Sequence, residues 1–315
     1  MTTRLPVFIL TGPTGAGKTE LALRLAESAA IEIVSVDSAL VYRGLDIGTA
    51  KPARALRARI AHHLIDICEP TESYSAGRFV ADALRSIGQI HARRRVPLLV
   101  GGTMLYLRAL LHGLADLPEA VPELRAAIDA RAVRHGWPAL HAELQELDPQ
   151  AAARISCNDG QRIQRALEVC HIAGRPISEL QQATVGALGD CPVRYWVLAP
   201  PQRSVLHERL ERRFEGMMAA GFLDEVIELK ARGDLSARHP SMRAVGYRQL
   251  WAHLEGQYGR GEAMRRAVAA TRQLAKRQLT WMRAEALASW IDAESDAAVM
   301  SWNRDICHEL GVLGI

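Results

Sequence analysis

The fold of this chain is decided near its N-terminus by the stretch Val7-Phe8-Ile9-Leu10-Thr11-Gly12-Pro13-Thr14-Gly15-Ala16-Gly17-Lys18-Thr19-Glu20. An apolar run leads into a glycine-rich turn, and helix-forming residues follow the turn. The turn matches the pattern G-x-x-x-x-G-K-[ST] at every fixed position. This order predicts a strand, a phosphate-binding loop and a helix, and it disfavours a chance glycine turn.

Each fixed position of the loop has a mechanical purpose. Glycine lets the backbone curl and turn its N–H groups inward, and the start of the following helix attracts negative charge. Lys18 adds a positive charge for the outer phosphate oxygens, and the hydroxyl of Thr19 suits Mg²⁺. The predicted polyphosphate site comprises Gly12, Pro13, Thr14, Gly15, Ala16, Gly17, Lys18 and Thr19, with Thr19 as metal ligand. Kinases, hydrolases and transferases with a diphosphate leaving group could all use such a loop.

Length and composition set the broad class of the protein. At 315 residues and 49% hydrophobic content, the chain can bury a large core and form two domains. No apolar run approaches the roughly 18–20 residues of a membrane span, and the phosphate loop leaves no room for a cleaved signal. Five scattered cysteines without a C-x-x-C pair argue against disulfides and structural zinc. We expect a cytoplasmic monomer without a membrane partner.

Positive charge is concentrated in one part of the chain. Residues 203–283 contain sixteen Lys and Arg against nine Asp and Glu, a net charge of +7, whereas residues 284–315 carry a net charge of −5. A basic block of this size suits a polyanionic partner. A genome composition that favours arginine codons is an equally good explanation for the bulk of the arginines.

Two predicted strands end in residues that suit a ligand site. Residues 31–36 form the second strand and lead to Asp37, which in a doubly wound sheet faces the ligand crevice. Asp37 could bind Mg²⁺ indirectly, accept a proton or cap a turn. Residues 96–100 form a buried strand that ends in Gly101-Gly102-Thr103, without an acid. A hydrolysing ATPase needs an Asp at this point, so the pattern argues against that class.

Other segments complete an α/β pattern. Residues 39–52 mix glycines with charges and predict an ordered loop over the site. Residues 62–67 predict a third strand, and an amphipathic helix is predicted from Ser73 to the basic run at residues 91–95.

Residues 117–190 have a different sequence pattern, because they contain prolines and helical periodicity but no strand signal. Helices are predicted at residues 123–135, 139–147 and 159–173, and residues 193–198 resume the sheet. The fold class is therefore α/β: a P-loop NTPase-like parallel sheet flanked by helices, with an all-helical insertion domain. The predicted organisation is a core made of residues 1–116 and 191–315, the latter with basic C-terminal helices, and an insertion at residues 117–190.

Arginines at helical spacing mark candidate contact surfaces. In the insertion, Arg162 and Arg165 lie three residues apart, and a surface pair held by salt bridges is the alternative. Arg209 and Arg213, four apart, could grip a diphosphate bidentately. A last helix at about residues 263–284 mixes six cations with a tryptophan, which suits an RNA backbone, although an ordinary solvated face would look similar.

Further motifs follow one another in order along the chain. They are Val36-Asp37-Ser38-Ala39-Leu40, Tyr42-Arg43-Gly44, Asp46-Ile47-Gly48-Thr49-Ala50-Lys51-Pro52, Gly101-Gly102-Thr103-Met104-Leu105-Tyr106, Asn158-Asp159 with Arg162 and Arg165-Ala166-Leu167-Glu168-Val169, Arg213-Phe214 with Met217, Val245-Gly246-Tyr247-Arg248-Gln249, and Thr271-Arg272-Gln273-Leu274-Ala275-Lys276-Arg277-Gln278-Leu279-Thr280-Trp281. With the phosphate loop, they make the chain resemble the tRNA dimethylallyltransferases from residue 12 to about residue 283. We see no departure from the family's pattern at a functional position.

The resemblance implies a reaction. A five-carbon prenyl group would pass from dimethylallyl diphosphate to N6 of the adenosine just 3′ of the anticodon, and diphosphate would leave. The phosphate loop would hold the donor's diphosphate, although such a motif is usually assigned to ATP. Asp37 would act as general base with Thr103 as its orienting partner. Lys18, Arg213, the loop amides and Mg²⁺ at Thr19 would neutralise the leaving group.

The resemblance also implies contacts with the anticodon stem-loop of tRNA. The target base must leave its stack to reach a buried loop, so the insertion and the basic C-terminal helices would hold the RNA on two sides. The implied tRNA-binding residues are Asp37, Ser38, Ala39, Leu40, Thr103, Arg125, Gln161, Arg162, Ile163, Gln164, Arg165, Met242, Arg243, Ala244, Val245, Gly246 and Tyr247.

Two other functions fit parts of the sequence. In a small-molecule kinase the same loop would hold ATP, and Asp37 would accept the proton of an acceptor hydroxyl. A non-catalytic, nucleotide-regulated RNA-binding protein would explain the basic block but would leave Asp37 and Thr103 without a function.

Overall fold

The computed structural model describes residues 5–181 and 185–314. Its strands are β1 (Val7–Thr11), β2 (Ile31–Val36), β3 (His62–His63), β4 (Val96–Gly101), β5 (Val193–Ala199) and β6 (Ala288–Asp292). Its α-helices are α1 (Lys18–Ser28), α2 (Arg54–Arg59), α3 (Ala76–Ala92), α4 (Met104–His112), α5 (Pro122–His135), α6 (Trp137–Leu147), α7 (Pro149–Arg154), α8 (Gly160–Ala173), α9 (Ile177–Leu180), α10 (Arg203–Ala219), α11 (Phe222–Ala231), α12 (Tyr247–Leu254), α13 (Arg260–Arg283) and α14 (Asp296–Val312), and a 3₁₀ turn spans Ser241–Arg243. Within the described ranges, no helix has both the length and the apolar character needed to cross a bilayer.

The strands form one sheet in the order β3-β2-β4-β1-β5-β6, and every neighbouring pair is parallel. All residues of β1, β2 and β4 are buried, as expected for central strands of a parallel sheet that is covered on both faces. The predicted fold class, a P-loop NTPase-like parallel sheet flanked by helices, is confirmed.

The register of the central strands aligns the ends that carry the site. Gly101, the last residue of β4, pairs with Val36 at the end of β2 and with Thr11 at the end of β1. A Cβ on Gly101 would lie only 2.1 Å from the carbonyl oxygen of Val36, so only glycine fits there. Because parallel strands end at the same edge, the phosphate loop, Asp37 and Thr103 all start from this edge.

The C-terminal tail completes the core, which the sequence analysis did not foresee. Strand β6 pairs with β5, and Trp302, Ile306 and Leu310 of α14 are buried in the same apolar cluster as residues of β1 and β2. The ring of Trp302 meets that of Trp196 edge to face, with the centroids 5.7 Å apart. The apolar stripe of α14 is hard to recognise in the sequence, because acidic residues lie between its members.

The predicted third strand is shorter than expected, because β3 contains only His62 and His63. Leu64 and Asp66 have left-handed backbone conformations, with φ of 62° and 56°. The Asp66 carboxylate accepts hydrogen bonds from Lys51 Nζ at 2.5 Å and from Arg57 at 2.8 Å. These charged contacts hold a turn where a strand would otherwise continue.

The helical insertion is a compact unit that spans Leu110–Ala187, and the rest of the described chain forms the other unit. The sequence-based boundaries at residues 117 and 190 lie a few residues further along. The three helices predicted within this segment are confirmed as α5, α6 and α8, and the shorter α7 and α9 accompany them. Their inward faces share one apolar core.

A buried carboxylate ties the insertion together. The Glu168 side chain is fully buried and accepts hydrogen bonds from Arg125 Nε at 2.8 Å, Arg165 Nη1 at 2.6 Å and the Val121 N–H at 2.9 Å. Burial opposes ionisation of Glu168, but these hydrogen bonds prevail and hold the pKa of its carboxyl below the ordinary value. The charged network therefore stabilises the insertion at neutral pH.

We expect Glu168→Ala to lower the local stability of α8 by about 2 kcal/mol, the scale of losing buried hydrogen bonds to a charged group. Because the folded-state pKa is depressed, this contribution should be complete above the ordinary glutamate pKa of about 4.3 and disappear as the pH falls below it. Native-state hydrogen exchange of the α8 amides at pH 7 measures the loss. Glu179→Ala, which removes an exposed pair with Arg175, is the control and should change little; equal effects would contradict the prediction.

Candidate active site

A cavity of about 500 Å³ lies at the carboxyl edge of the central strands. Its walls come from the phosphate loop, the turns after β2 and β4, and helices α10 to α13. The lining residues with polar groups or with predicted functions include Thr14, Asp37, Ser38, Ala39, Thr49, Gly102, Thr103, Arg213, Arg243, Ala244, Val245, Tyr247, Thr271, Arg277, Gln278 and Trp281.

The phosphate loop has the predicted form, since α1 begins at Lys18 with Gly17 as its N-cap. Lys18 folds back onto the loop, where its Nζ donates to the carbonyl oxygens of Gly12 at 2.8 Å and Pro13 at 2.9 Å. Burial of the ammonium and the positive charge of Arg213, only partly opposed by the negative charge of Asp37, together lower the pKa of Lys18 to about 7. A polyphosphate that binds here would stabilise the protonated, positively charged form of Lys18.

Asp37 caps a turn and also lines the cavity. Its Oδ1 accepts hydrogen bonds from the N–H groups of Ala39 at 2.8 Å and Leu40 at 3.3 Å. Within the described chain, no hydrogen bond occupies its Oδ2. The capping alternative and the general-base hypothesis are thus compatible, because one oxygen is held while the other is available to a substrate.

Thr103 is fixed beside Asp37 by the turn after β4. Its N–H donates to the Val36 carbonyl at 3.2 Å, and its Oγ1 accepts a hydrogen bond from the Ser38 N–H at 3.0 Å. The hydroxyl also lies 3.4 Å from Ser38 Oγ. Asp37 and Thr103, two of the three residues that the resemblance assigned to catalysis, therefore lie on neighbouring turns through the pairing of β2 with β4.

The two arginines of α10 separate in the structure. Arg213 lines the cavity and has no carboxylate partner among the described residues, whereas Arg209 bonds to Glu294 at 3.5 Å and does not line the cavity. The prediction that both would grip one diphosphate is wrong, because α10 turns them toward different neighbours. Helix α10 ends with Ala220 as its C-cap, and the next residue, Gly221, is the N-cap of α11.

Residues 242–247 form one wall of the cavity. Arg243, Ala244 and Val245 line it, but Met242 and Tyr247 are fully buried, so the Met242 side chain is not accessible to an RNA. Tyr247 is also in the cavity wall and donates its hydroxyl to Glu225 at 2.5 Å.

Glu225 was missed by the sequence analysis. Its carboxylate accepts the backbone N–H groups of Asp46, Ile47 and Gly48 at 2.9, 2.6 and 3.2 Å. It therefore fastens the predicted ordered loop to Tyr247 on the cavity wall. An acidic residue in the first turn of a helix is common, so Glu225 carries no sequence signal for such a contact.

The insertion residues predicted to contact tRNA differ in accessibility. Gln161 and Arg162 are exposed, Arg125 and Arg165 bond to Glu168, and Ile163 is fully buried. An RNA contact through the Ile163 side chain is thus excluded by its burial in the core. Gln164 donates to Asp129 at 2.6 Å and is half-buried. The assignment of the remaining residues to tRNA stays a prediction.

Five cations of α13 fall into two groups by their partners. Arg265 and Arg266 bond to Glu262 of the same helix, and Arg272 bonds to Glu211 at 2.9 Å. Lys276 and Arg277 are exposed and have no acidic partner among the described residues, and Arg277 lines the cavity. Both side chains of the second group therefore carry unneutralised positive charge, and that of Arg277 lies at the cavity.

Fold and site together define a class. A phosphate loop at the carboxyl edge of a parallel sheet, next to a held carboxylate, a hydroxyl and an unpaired arginine, belongs to a P-loop enzyme that transfers a group from a phosphorylated donor. The strand β4 ends without an acid, which separates this site from hydrolysing ATPases.

Comparison with known proteins narrows the class. The model of the family described as IPP transferase matches residues 40–285, and that described as isopentenyl transferase matches residues 5–62. The chain belongs to the IPP transferase family. It is 56% identical to the tRNA dimethylallyltransferase of Alkalilimnicola ehrlichii, over 92% of this chain and 91% of that one, and 56% identical to that of Nitrosococcus oceani, over 96% of each.

Solved structures agree with this placement. The full-length tRNA isopentenylpyrophosphate transferase from Bacillus halodurans is 35% identical and superposes with a TM-score of 0.71, with 98% of each chain covered. A eukaryotic dimethylallyltransferase acting on tRNA superposes with a TM-score of 0.77 over 96% of this chain and 77% of that one. At 24% identity, the second comparison supports the fold alone.

Proposed function

We propose that this protein transfers a dimethylallyl group from dimethylallyl diphosphate to N6 of the adenosine 3′-adjacent to the anticodon in tRNA and releases diphosphate. The relatives named tRNA dimethylallyltransferase support the reaction class. The single observation that carries the mechanism is the meeting of Thr14, Asp37, Thr103 and Arg213 in one cavity.

The donor half of the site neutralises charge. As the carbon–oxygen bond of the donor breaks, negative charge grows on the diphosphate and positive character on the allylic carbon. Lys18 and Arg213 supply the cations, and the start of α1 supplies backbone N–H groups. These groups stabilise the leaving diphosphate more strongly than the bound ester.

The acceptor half of the site removes a proton from the nucleophile. An exocyclic amine is a weak nucleophile and must lose a proton as its nitrogen bonds to the allylic carbon. The free Oδ2 of Asp37 receives that proton, and Thr103 keeps the turn that carries Asp37 in place. A new carbon–nitrogen bond thus replaces the carbon–oxygen bond, and the proton ends on the carboxylate.

A Mg²⁺ ion fits the residues at the loop. Thr19 is exposed at the start of α1 with its hydroxyl available, and no group of three or more His, Cys, Asp or Glu among the described residues is placed to hold a metal. Mg²⁺ often takes one or two protein ligands and completes its shell with phosphate oxygens and water. Thr19 would hold it, and the ion would supply positive charge to the diphosphate.

The cavity receives the adenosine only if the base leaves its stack. Arg277 in the cavity wall, with the exposed Lys276 next to it in the sequence, suits the phosphates around a flipped nucleotide. The exposed residues Gln161 and Arg162 of the insertion suit a second contact with the same stem-loop. The protein would thus hold the RNA backbone while one base enters the site.

We expect the affinity for tRNA to fall steeply with salt, because the cations release counterions when they bind phosphates. Replacing Arg272, Lys276 and Arg277 together by alanine should reduce the slope of log affinity against log salt by about two, without a change in donor binding. Filter binding between low and moderate salt measures the slope. Replacing Arg265 and Arg266, which are paired with Glu262, is the matched control on the same helix. Equal slopes for both variants would remove Arg272, Lys276 and Arg277 from the interface.

The decisive experiment separates prenyl transfer from phosphoryl transfer. A kinase would use the same loop for ATP, so binding of nucleotide or diphosphate decides nothing. The protein, Mg²⁺ and unmodified tRNA are mixed separately with dimethylallyl diphosphate and with ATP, and the tRNA nucleosides are analysed by mass. We expect an adenosine heavier by one dimethylallyl group with the first donor and no phosphate transfer with the second. An unmodified nucleoside, or phosphate transfer from ATP, would overturn the proposal and favour a binding protein or a kinase.

A further inference from the structure

A buried glutamine connects the two halves of the site. Gln278 lies on α13, lines the cavity and is 8% exposed. Its Oε1 accepts a hydrogen bond from the Thr14 N–H at 2.9 Å, and its Nε2 donates to the Gly102 carbonyl at 2.8 Å. One side-chain amide therefore joins the phosphate loop to the turn after β4.

The turn after β4 also contacts the turn that carries Asp37. Gly102 precedes Thr103, whose hydroxyl accepts the Ser38 N–H at 3.0 Å. Ser38 follows Asp37, whose Oδ1 is held by two amides of the same turn. The amide of Gln278 thus lies between the loop that would hold the donor and the residues that would receive the adenosine.

The same contact decides which loop amides face a ligand. The Thr14 N–H is bound by Gln278, and the Ala16 N–H donates to the Pro13 carbonyl at 3.2 Å. Within the described chain, no hydrogen bond occupies the N–H of Gly15 or Gly17. These donors, with the start of α1, remain for a diphosphate, so Gln278 is not needed to bind it.

The side-chain amide of Gln278 is closely packed and has little freedom to move. A Cβ on Gly102 would lie 2.3 Å from Nε2 of Gln278, so the amide packs directly against the backbone. A buried amide with both ends bonded resists displacement, because either end left without a partner would be costly. The loop and the turn therefore cannot shift relative to each other while the amide is in place.

We infer that Gln278 is a positioning residue that keeps the acceptor turn, with Asp37 and Thr103, in register with the diphosphate donor. The inference rests on the proposed function. A residue that only fills space would tolerate methionine, which has similar volume and no amide. A positioning residue would lose turnover while the loop still binds diphosphate.

Gln278→Met tests this difference. We expect kcat for prenylation of an anticodon stem-loop to fall about tenfold, the scale of one to two lost buried hydrogen bonds, while the Kd for inorganic pyrophosphate with Mg²⁺ stays within about threefold. Thr103→Val should also lower kcat. Because both residues act through the same turn, the double variant should lose less than the product of the single effects.

Gln278→Glu supplies a second, independent comparison. The carboxylate still accepts the Thr14 N–H, but it cannot donate to Gly102 and it places a negative charge beside the loop. We expect it to weaken pyrophosphate binding about tenfold, unlike methionine. Ala267→Gly, at a buried position of the same helix outside the cavity, is the stability control and should lower Tm but leave kcat unchanged.

Three results would overturn the inference. The first is a kcat of Gln278→Met within twofold of the parent. The second is a double variant with Thr103→Val whose kcat falls by the full product of the two single effects. The third is equal affinity of Gln278→Met and Gln278→Glu for pyrophosphate. Failure of the proposed function is distinguishable from these, because the parent protein would then prenylate no RNA at all. The pyrophosphate measurements would still test the contact with the loop.

Discussion

Asp37→Asn should lower kcat for tRNA prenylation by about a hundredfold or more, the scale of losing a general base. Asparagine retains an oxygen for the N–H groups of Ala39 and Leu40, so the turn should persist. It cannot accept the proton of the amine, because an amide is not basic. The Kd values for tRNA and for dimethylallyl diphosphate should therefore stay close to those of the parent. Single-turnover kinetics at saturating tRNA and donor measure the effect on the chemical step.

Asp292→Asn is the matched control for this prediction. Asp292 ends β6 and its Oδ1 accepts the Glu294 N–H at 2.8 Å, so it caps a turn after a strand as Asp37 does, but it does not line the cavity. We expect the Asp292→Asn substitution to leave kcat unchanged. If Asp37→Asn is as active as Asp292→Asn, Asp37 is only a turn cap.

Lys18→Met should lower kcat/KM for the donor by about a thousandfold, toward the upper end of what one preorganised charged donor contributes. Methionine keeps the length of the stem but removes the charge that neutralises the leaving diphosphate. The parent should also bind the donor more weakly as the pH rises above about 7, because Lys18 must then take up a proton on binding. This pH dependence should be absent from the variant, and calorimetric titrations with dimethylallyl diphosphate from pH 6 to 9 measure it.

Lys230→Met controls for the loss of a lysine elsewhere. Lys230 lies over the ring of Trp251 at 5.5 Å and does not line the cavity, so its removal should not affect donor binding. Normal kcat/KM in Lys18→Met would show that the loop holds no phosphate during the reaction.

Much of the fold was predictable because its signals are local. The glycine pattern and the apolar run before it identified β1, the loop and α1, and apolar periodicity identified α5, α6 and α8. The parallel sheet followed from strands that alternate with helices. Strand β6 and helix α14 were missed because a short strand among acidic residues has no distinctive period, and its pairing with β5 lies far away in the sequence.

By itself the sequence determined the phosphate loop, the position of Asp37 after β2 and the glycine pair before Thr103, because each depends on residues that are neighbours in the chain. Tertiary structure alone decided that Arg213 enters the cavity while Arg209 bonds to Glu294, and that Arg165 bonds to Glu168. It also decided that Gln278 joins Thr14 to Gly102. A side chain's partner depends on which elements pack together, and a sequence pattern records only the face of the helix on which that side chain lies.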